Sequence, residues 1–232
     1  MSATLQVRGM VLSSMPIGEN DKRIVILTRE FGRISAFARG ARRPGSLLMA
    51  ASEPPVFGTF TLIQGRNSYS LIQAQVEQYF RELTQEPEGI YYGNYFLEFA
   101  DYYGREGLEA AATLNLLYLS LKALLHKQLD NRLVRRIYEF RLMSINGDFA
   151  VQPEGLSESA VYTLQYILGS PLEKLFTFAV TPTILQELEK LADRHMVRVL
   201  DRPLKSRKIL EEVSGSGLQN PCGVLCSDDT GR

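Results

Sequence analysis

Arg33, Ser35, Phe37 and Arg39 fall at alternate positions of one short run, with Ile34, Ala36 and Ala38 between them. In a strand the first set shares one face and the second set the other. Two guanidiniums beside an aromatic ring on an open sheet face suit a nucleic-acid strand. The cations neutralise phosphates, and the ring offers a stacking surface to any base. Lys22 and Arg23 lie next to this run if a hairpin forms through Gly32. Arg29 belongs to the same concentration, and Arg42 and Arg43 carry the charge into the following loop. Arg66, with Tyr69, is placed to add charge and stacking at a second hairpin. Segment 22–43 holds seven Lys and Arg against Glu30 alone, a net of +6 in 22 residues. The whole chain hides this field, because 26 basic side chains balance 26 acidic ones. The plainer reading is a solvated arginine-rich face with an isolated Phe.

A second cluster is Arg132, Arg135, Arg136 and Arg141, near Tyr138, Phe140 and Leu142. Positions 132, 135 and 136 share a helix face. Such a face could receive an acidic peptide end with an apolar side chain, or could be a solvated face partly paired with Asp130 and Glu139. Catalytic signatures are missing from the sequence: there is no phosphate-binding G-x-x-x-x-G-K-[ST], no G-x-G-x-x-G after a strand, no H-E-x-x-H and no G-x-S-x-G. His126 and His195 read as surface or packing residues. Cys222 and Cys226 supply two thiolates where a structural zinc site needs four ligands. They build no disulfide framework either. No metal is expected.

Around these residues the sequence changes texture near position 80. Before it, five short strands are expected: one through Leu5, Val7, Gly9 and Val11 (with Gln6, Arg8 and Met10 on the opposite face), then 23–28, 33–39, 56–63 and 69–76. Gly32 and Gly65-Arg66-Asn67-Ser68 supply hairpin turns. Segment 42–55, with Pro44, Gly45, Pro54 and Pro55, is the one long connection. Five strands with a long link between the third and fourth fit an OB-type barrel, which often carries a short helix there. Another small barrel, or a sheet backed by the C-terminal half, is the competing reading. After position 80 the period becomes helical. Leu114, Leu117, Leu121, Leu124 and Leu125 form one stripe, and further helices are expected at 89–103, 130–145, 157–168, 181–199 and 205–213. Ser157 or Ser159, and Thr181 before Pro182, are the candidate N-caps.

The fold class is therefore α+β and multi-domain: residues 1–80 as a five-stranded OB-fold β-barrel, and 81–213 as an all-α helical bundle. Residues 214–232 read as a disordered tail. The first 28 residues carry Arg8, Glu19, Asp21, Lys22 and Arg23 where a signal peptide would be apolar, and no run approaches the ~20 apolar residues of a membrane span. A cytosolic protein without a membrane partner is expected.

These residues also carry a resemblance. Val7-Arg8-Gly9-Met10-Val11-Leu12, Gly18-Glu19-Asn20-Asp21-Lys22, the stretch from Thr28 to Ala36 and Ala38-Arg39-Gly40-Ala41-Arg42 together resemble the RecO family of bacterial DNA repair and recombination mediators. Leu204-Lys205-Ser206-Arg207-Lys208-Ile209-Leu210 is similar to the family's closing helix, and Tyr138-Glu139-Phe140-Arg141-Leu142 with Gly147 to its middle. The resemblance covers about residues 3–213. It implies an OB-fold joined to a helical domain, no enzymatic turnover, and a nucleoid-associated cytoplasmic protein. Such a protein binds single- and double-stranded DNA and anneals complementary strands. With RecR, and in some settings RecF, it helps RecA replace single-stranded DNA-binding protein (SSB), whose acidic C-terminal tail it also binds.

Lys22, Arg29, Arg33, Arg39 and Arg42 match the family's motif, and DNA contact is carried over to them. Arg23, Phe37, Arg43 and Arg66 join them on the reading above. The Arg132 cluster is taken as the candidate SSB-tail site. One departure is clear: many members carry a four-cysteine zinc site after the position of Gly147, and 147–159 contains no cysteine. That predicts a metal-free protein, with the region shortened or closed by apolar packing around Phe149 and Val151. The rival function is a non-enzymatic adaptor whose barrel docks on acidic protein partners and binds DNA weakly.

Overall fold

The computed structural model describes residues 4–66, 68–86, 88–150 and 155–216. Five strands come first: β1 (Thr4–Ile17), β2 (Asp21–Thr28), β3 (Gly32–Ala38), β4 (Val56–Gln64) and β5 (Tyr69–Gln78). They close into a barrel in the order β1-β2-β3-β5-β4, the arrangement of an OB-fold. β1 is long because it serves two neighbours. Its first half pairs with β4, from Thr4 opposite Ile63 to Val11 opposite Val56. Its second half pairs with β2 out to Ile17 opposite Asp21, past an irregularity between Val11 and Ser13. The strand thus runs six residues beyond the alternation that marks it in the sequence. A short parallel pairing, Ala36 with Tyr69 and Phe37 with Ser70, closes the ring.

The barrel core is Val7, Val11, Ile24, Ile26, Ile34, Ala36, Ala38, Val56, Phe60, Leu62 and Leu71. These are the inward-facing positions of the alternating runs. The long link carries a four-residue helix, α1 (Leu48–Ala51). Leu48 packs against the barrel core and Ala51 is buried, so α1 plugs one end.

Six helices follow: α2 (Gly89–Tyr103), α3 (Ala111–Ala123), α4 (Asn131–Ile145), α5 (Glu158–Gly169), α6 (Pro182–Val199) and α7 (Lys205–Ser216). Asp130, Ser157 and Thr181 cap α4, α5 and α6 through their side-chain oxygens, so Ser157 rather than Ser159 starts α5. Pro182 sits in the first turn of α6, where no N–H is needed. The last helix continues to Ser216, beyond the start at 214 expected for the tail. Residues 217–232, with Cys222 and Cys226, lie outside the described residues. No helix among the described residues is long and apolar enough to cross a membrane.

Met10 is fully buried, although its strand alternation assigns it the barrel's outer face. The reason is that the helices cover that face. Met10, Leu12, Leu27 and Phe57 belong to one continuous core with Phe96, Phe99, Leu117 and Tyr138 of the helical part. The β2–β3 hairpin is further bonded to the loop after α2. Arg33 N–H donates to Arg105 O (3.1 Å), Gly107 N–H to Phe31 O (3.0 Å) and Ala110 N–H to Arg29 O (2.9 Å). At this seam Gly32 has φ +63°, and a Cβ there would collide with the carbonyl oxygens of Arg105 and Leu108. Gly32→Ala is therefore expected to lower stability by about 2 kcal/mol, from the left-handed backbone and the forced parting of hairpin and loop. A urea titration reads this as a lower midpoint, and an unchanged midpoint would show that the seam contributes nothing.

Candidate nucleic-acid interface

On the outer face of β2 and β3 the register sets Arg23 opposite Phe37, Val25 opposite Ser35 and Leu27 opposite Arg33. The helical part covers this ladder from the Leu27 end. Leu27 is buried in the shared core, Val25 packs against it, and Arg33 Nε donates to Asp101 Oδ1 of α2 (2.5 Å). The Arg23 and Phe37 end stays open. Arg23 Nε donates to Ser35 Oγ (2.7 Å), which lays the guanidinium along the sheet beside the half-buried Phe37 ring. Met15, 60% exposed, sits opposite Arg23 on the far side, and Ser70 of β5 sits next to Phe37. The result is a row of Met15, Arg23, Phe37 and Ser70 across four strands. Met15 had no signal in the alternation, because the stretch of β1 that contains it reads as irregular.

The loop after β3 brings further cations to the same end. Gly40 N–H donates to Asp21 Oδ1 (2.7 Å) and Arg42 N–H to Asn20 O (2.9 Å), so the loop is fastened to the β1–β2 turn. Arg42 Nη1 donates to Gly18 O (2.9 Å). Arg39 and Arg43 are exposed and have no side-chain partner among the described residues. From residue 31 to residue 52 the chain contains no acidic side chain. Arg23, Phe37, Arg39, Arg42 and Arg43 thus lie at one open end, net cationic around an aromatic ring although the β1–β2 turn adds Glu19 and Asp21.

The other expected members lie elsewhere. Lys22 is buried at 8% exposure and ion-paired with Glu53, because its position in β2 faces inward under the long link. Arg33 is taken up by Asp101, 68 residues away in sequence. Arg29 is exposed but stands in the β2–β3 turn, at the opposite end of β2 from Arg23. Arg66 is exposed in the β4–β5 turn. It precedes Tyr69, which pairs with Ala36, whereas Arg39 follows Phe37, which pairs with Ser70, so the two cations diverge along a parallel pair. Tyr69 packs against the barrel core and is not a free stacking surface. The seven-cation concentration of the sequence is divided by the fold into an open cluster, a seam and a buried pair.

The Arg132 cluster is corrected more fully. Arg135 and Arg136 are 6% and 5% exposed, and both grip Glu139, which is wholly buried. Arg135 also reaches Glu211 of α7, and Arg136 reaches Asp193 of α6. Tyr95 donates its hydroxyl to Glu139 (2.7 Å). Burial alone would raise the Glu139 carboxyl, but the guanidiniums of Arg136 and Arg135 hold it down at about 2. Arg132 forms a two-pronged pair with Glu189 at 2.9 and 2.7 Å, and Arg141 donates to Leu168 O. Arg135 and Arg136 turn inward to Glu139 and reach α7 and α6, Arg141 turns to α5, and Arg132 stays exposed while paired with Glu189 of α6. Their guanidiniums find partners within the bundle, and of the four only Arg132 is exposed at its surface.

His195 packs its ring on Phe149, which also meets Phe140, and Nε2 lies 2.5 Å from Asp148 O. Phe149 is thus in the apolar packing expected after Gly147, while Val151 lies outside the described residues. His126 is exposed in the turn after α3. Among the described residues no group of three or more His, Cys, Asp or Glu is placed to hold a metal ion.

Barrel and site together define a class: an OB-barrel whose outer sheet face is covered by a helical bundle at one end and left open, cationic and aromatic, at the other. The Recombination protein O N-terminal family model matches residues 1–80 and the C-terminal one matches residues 146–208. The DNA repair protein RecO of Alkaliphilus metalliredigens is 25% identical over 85% of this chain and 94% of its own length. That of Acetivibrio thermocellus is 27% identical over 85% and 92%. That of Caldicellulosiruptor bescii is 32% identical over a shorter stretch, 62% of this chain and 59% of its own. The chain belongs to the RecO family of DNA repair proteins.

Proposed function

We propose that this chain is a non-enzymatic recombination mediator. It binds single- and double-stranded DNA, anneals complementary strands and, with RecR and in some settings RecF, helps load RecA onto DNA coated with SSB. The observation that carries the reading is the open surface of Arg23, Phe37, Arg39, Arg42 and Arg43 on an OB barrel. Annealing needs no catalytic group. Cations on one surface screen the repulsion between two backbones, contacts to phosphate let strands slide, and base pairing then supplies the specificity. Stacking on Phe37 is equally indifferent to sequence. Contact with the SSB tail belongs to this reading through family membership. The protein works without zinc, since residues 147–159 contain no cysteine.

Fluorescence anisotropy of a labelled mixed-sequence single strand, titrated at several salt concentrations, tests the proposal. If about four to six phosphates are neutralised, the log–log slope is expected at roughly −3 to −4, from about 0.7 per phosphate. Absence of binding at low salt would overturn the mediator reading and leave the adaptor in its place.

A further inference from the structure

The segment from Arg194 to Lys208 holds six Lys and Arg against Asp201 alone, a net of +5 in 15 residues. Its density rivals that of the barrel loop. The fold pairs part of it: Arg207 bridges Asp193 and Glu211, and at the surface Lys208 lies 3.9 Å from Glu212. The rest faces outward. Lys190, Arg194 and Arg198 stand at i, i+4 and i+8 of α6, all exposed and without a side-chain partner among the described residues. Successive heads are about 6 Å apart along the helix axis. Where α6 ends, Arg202 continues the line with its guanidinium over the Tyr102 ring (5.5 Å), and the exposed Lys205 follows at the start of α7. Asp201, the one acid in the segment that faces solvent, stays within the corner through its backbone N–H to Tyr102 Oη (3.3 Å).

Two further features bear on what binds there. Val197 is 78% exposed between Arg194 and Arg198, and it borders a groove of about 370 Å³ with Leu200, Pro203 and Lys208. An apolar floor walled by Arg202, Arg207 and Lys208 against Glu211 alone suits sugars and bases beneath neutralised phosphates. The corner also adjoins the barrel seam. Tyr102, under Arg202, accepts through its carbonyl from Arg105 Nη1 (3.1 Å), and Arg105 is the residue whose carbonyl receives the Arg33 N–H.

We propose that the α6–α7 corner, centred on Lys190, Arg194, Arg198, Arg202 and Lys205, is a second nucleic-acid-binding surface that holds the phosphate backbone of a second strand. Lys190, Arg194 and Arg198 repeat about every 6 Å along α6 and Arg202 and Lys205 follow past its end, a repeated spacing that favours a polyanionic backbone over a short acidic peptide. The proposal rests on the mediator reading for its purpose: one chain would then hold two strands at once, one on the barrel and one on the bundle.

The test uses the full chain and short labelled single strands that cannot pair, titrated at concentrations far above the dissociation constant. The wild type is expected to saturate at two strands per chain, and Arg194→Ala/Arg198→Ala/Arg202→Ala at one. The annealing rate of complementary strands should fall about tenfold in that variant, while its affinity for the first strand stays within about twofold. Arg194→Glu/Arg198→Glu leaves the Arg202–Tyr102 contact intact and should give the same result, which guards against a folding effect. Wild-type stoichiometry and annealing in both variants would overturn the proposal. So would a loss confined to binding of an acidic peptide, since the groove would then be a peptide site. If instead the barrel variant Arg39→Ala/Arg42→Ala/Arg43→Ala binds normally while the α6 variants lose all binding, the corner stands and the barrel face fails.

Discussion

Glu139→Ala should unfold at a temperature roughly 10 °C lower than the wild type, from a loss of about 3–5 kcal/mol. Arg135 and Arg136 are almost fully buried on either side of this carboxylate, which they reach at 2.8 Å each. Removing it leaves two desolvated cations with Asp193 and Glu211, both half-exposed, as their remaining counter-charges. The effect spreads beyond α4, because these contacts tie α6 and α7 to it and the Tyr95 hydroxyl of α2 loses its acceptor. Glu139→Gln keeps the shape and an acceptor for Tyr95, so it separates charge from packing. Its predicted loss is smaller but still large. The pH dependence has a definite sign. The folded carboxyl sits at about 2, below its ordinary value of 4.5, so its contribution is fully present above pH 4.5 and disappears as pH falls toward 2. Acid titration of stability should be flatter across that window in Glu139→Gln than in the wild type. Parallel curves, or melting unchanged by Glu139→Ala, would mean that the cluster is solvated in solution.

The same cluster shows what a sequence conveys and what it withholds. Spacing alone places Arg132, Arg135 and Arg136 on one helix face, and they are there. Which way that face points is decided by α6 and α7, some 50 to 75 residues later, and a local pattern carries no trace of it. Strand β3 is the opposite case. Its inward set of Ile34, Ala36 and Ala38 is buried as its alternation requires, because the pleat is a local property. Its outward set divides: Phe37 and Arg39 reach an open surface, while Arg33 meets Asp101 of α2. Met10 fails for the same reason as Arg33, since period-two reading assumes that the second face of a sheet meets water. Here half of that face is the floor of another core. The i, i+4, i+8 series of Lys190, Arg194 and Arg198 was open to inspection in the sequence, but a zero net charge and a conspicuous N-terminal cluster draw attention away from it.

Division of the barrel cations between an open cluster and a seam gives the largest functional prediction. Arg39→Ala/Arg42→Ala/Arg43→Ala should weaken binding to the first strand on the order of a hundredfold at low salt and make the salt slope shallower by about 2, from about 0.7 per lost phosphate contact. The loss should be uniform across sequences, because backbone contacts carry no base information. Arg29→Ala and Arg66→Ala, which remove cations of equal charge that point away from this surface, should each change affinity by less than threefold. Net charge alone would predict similar losses for every arginine removed. Position predicts the contrast. Phe37→Ala supplies a second, independent arm: loss of base stacking costs about 1–3 kcal/mol per base, and it should lower affinity while leaving the salt slope unchanged. A triple variant with wild-type slope, or an Arg66→Ala variant as damaged as the triple, would place the DNA elsewhere on the barrel. A Phe37→Ala effect that vanished at high salt would mean that the ring acts only by positioning Arg23 across the strand pair.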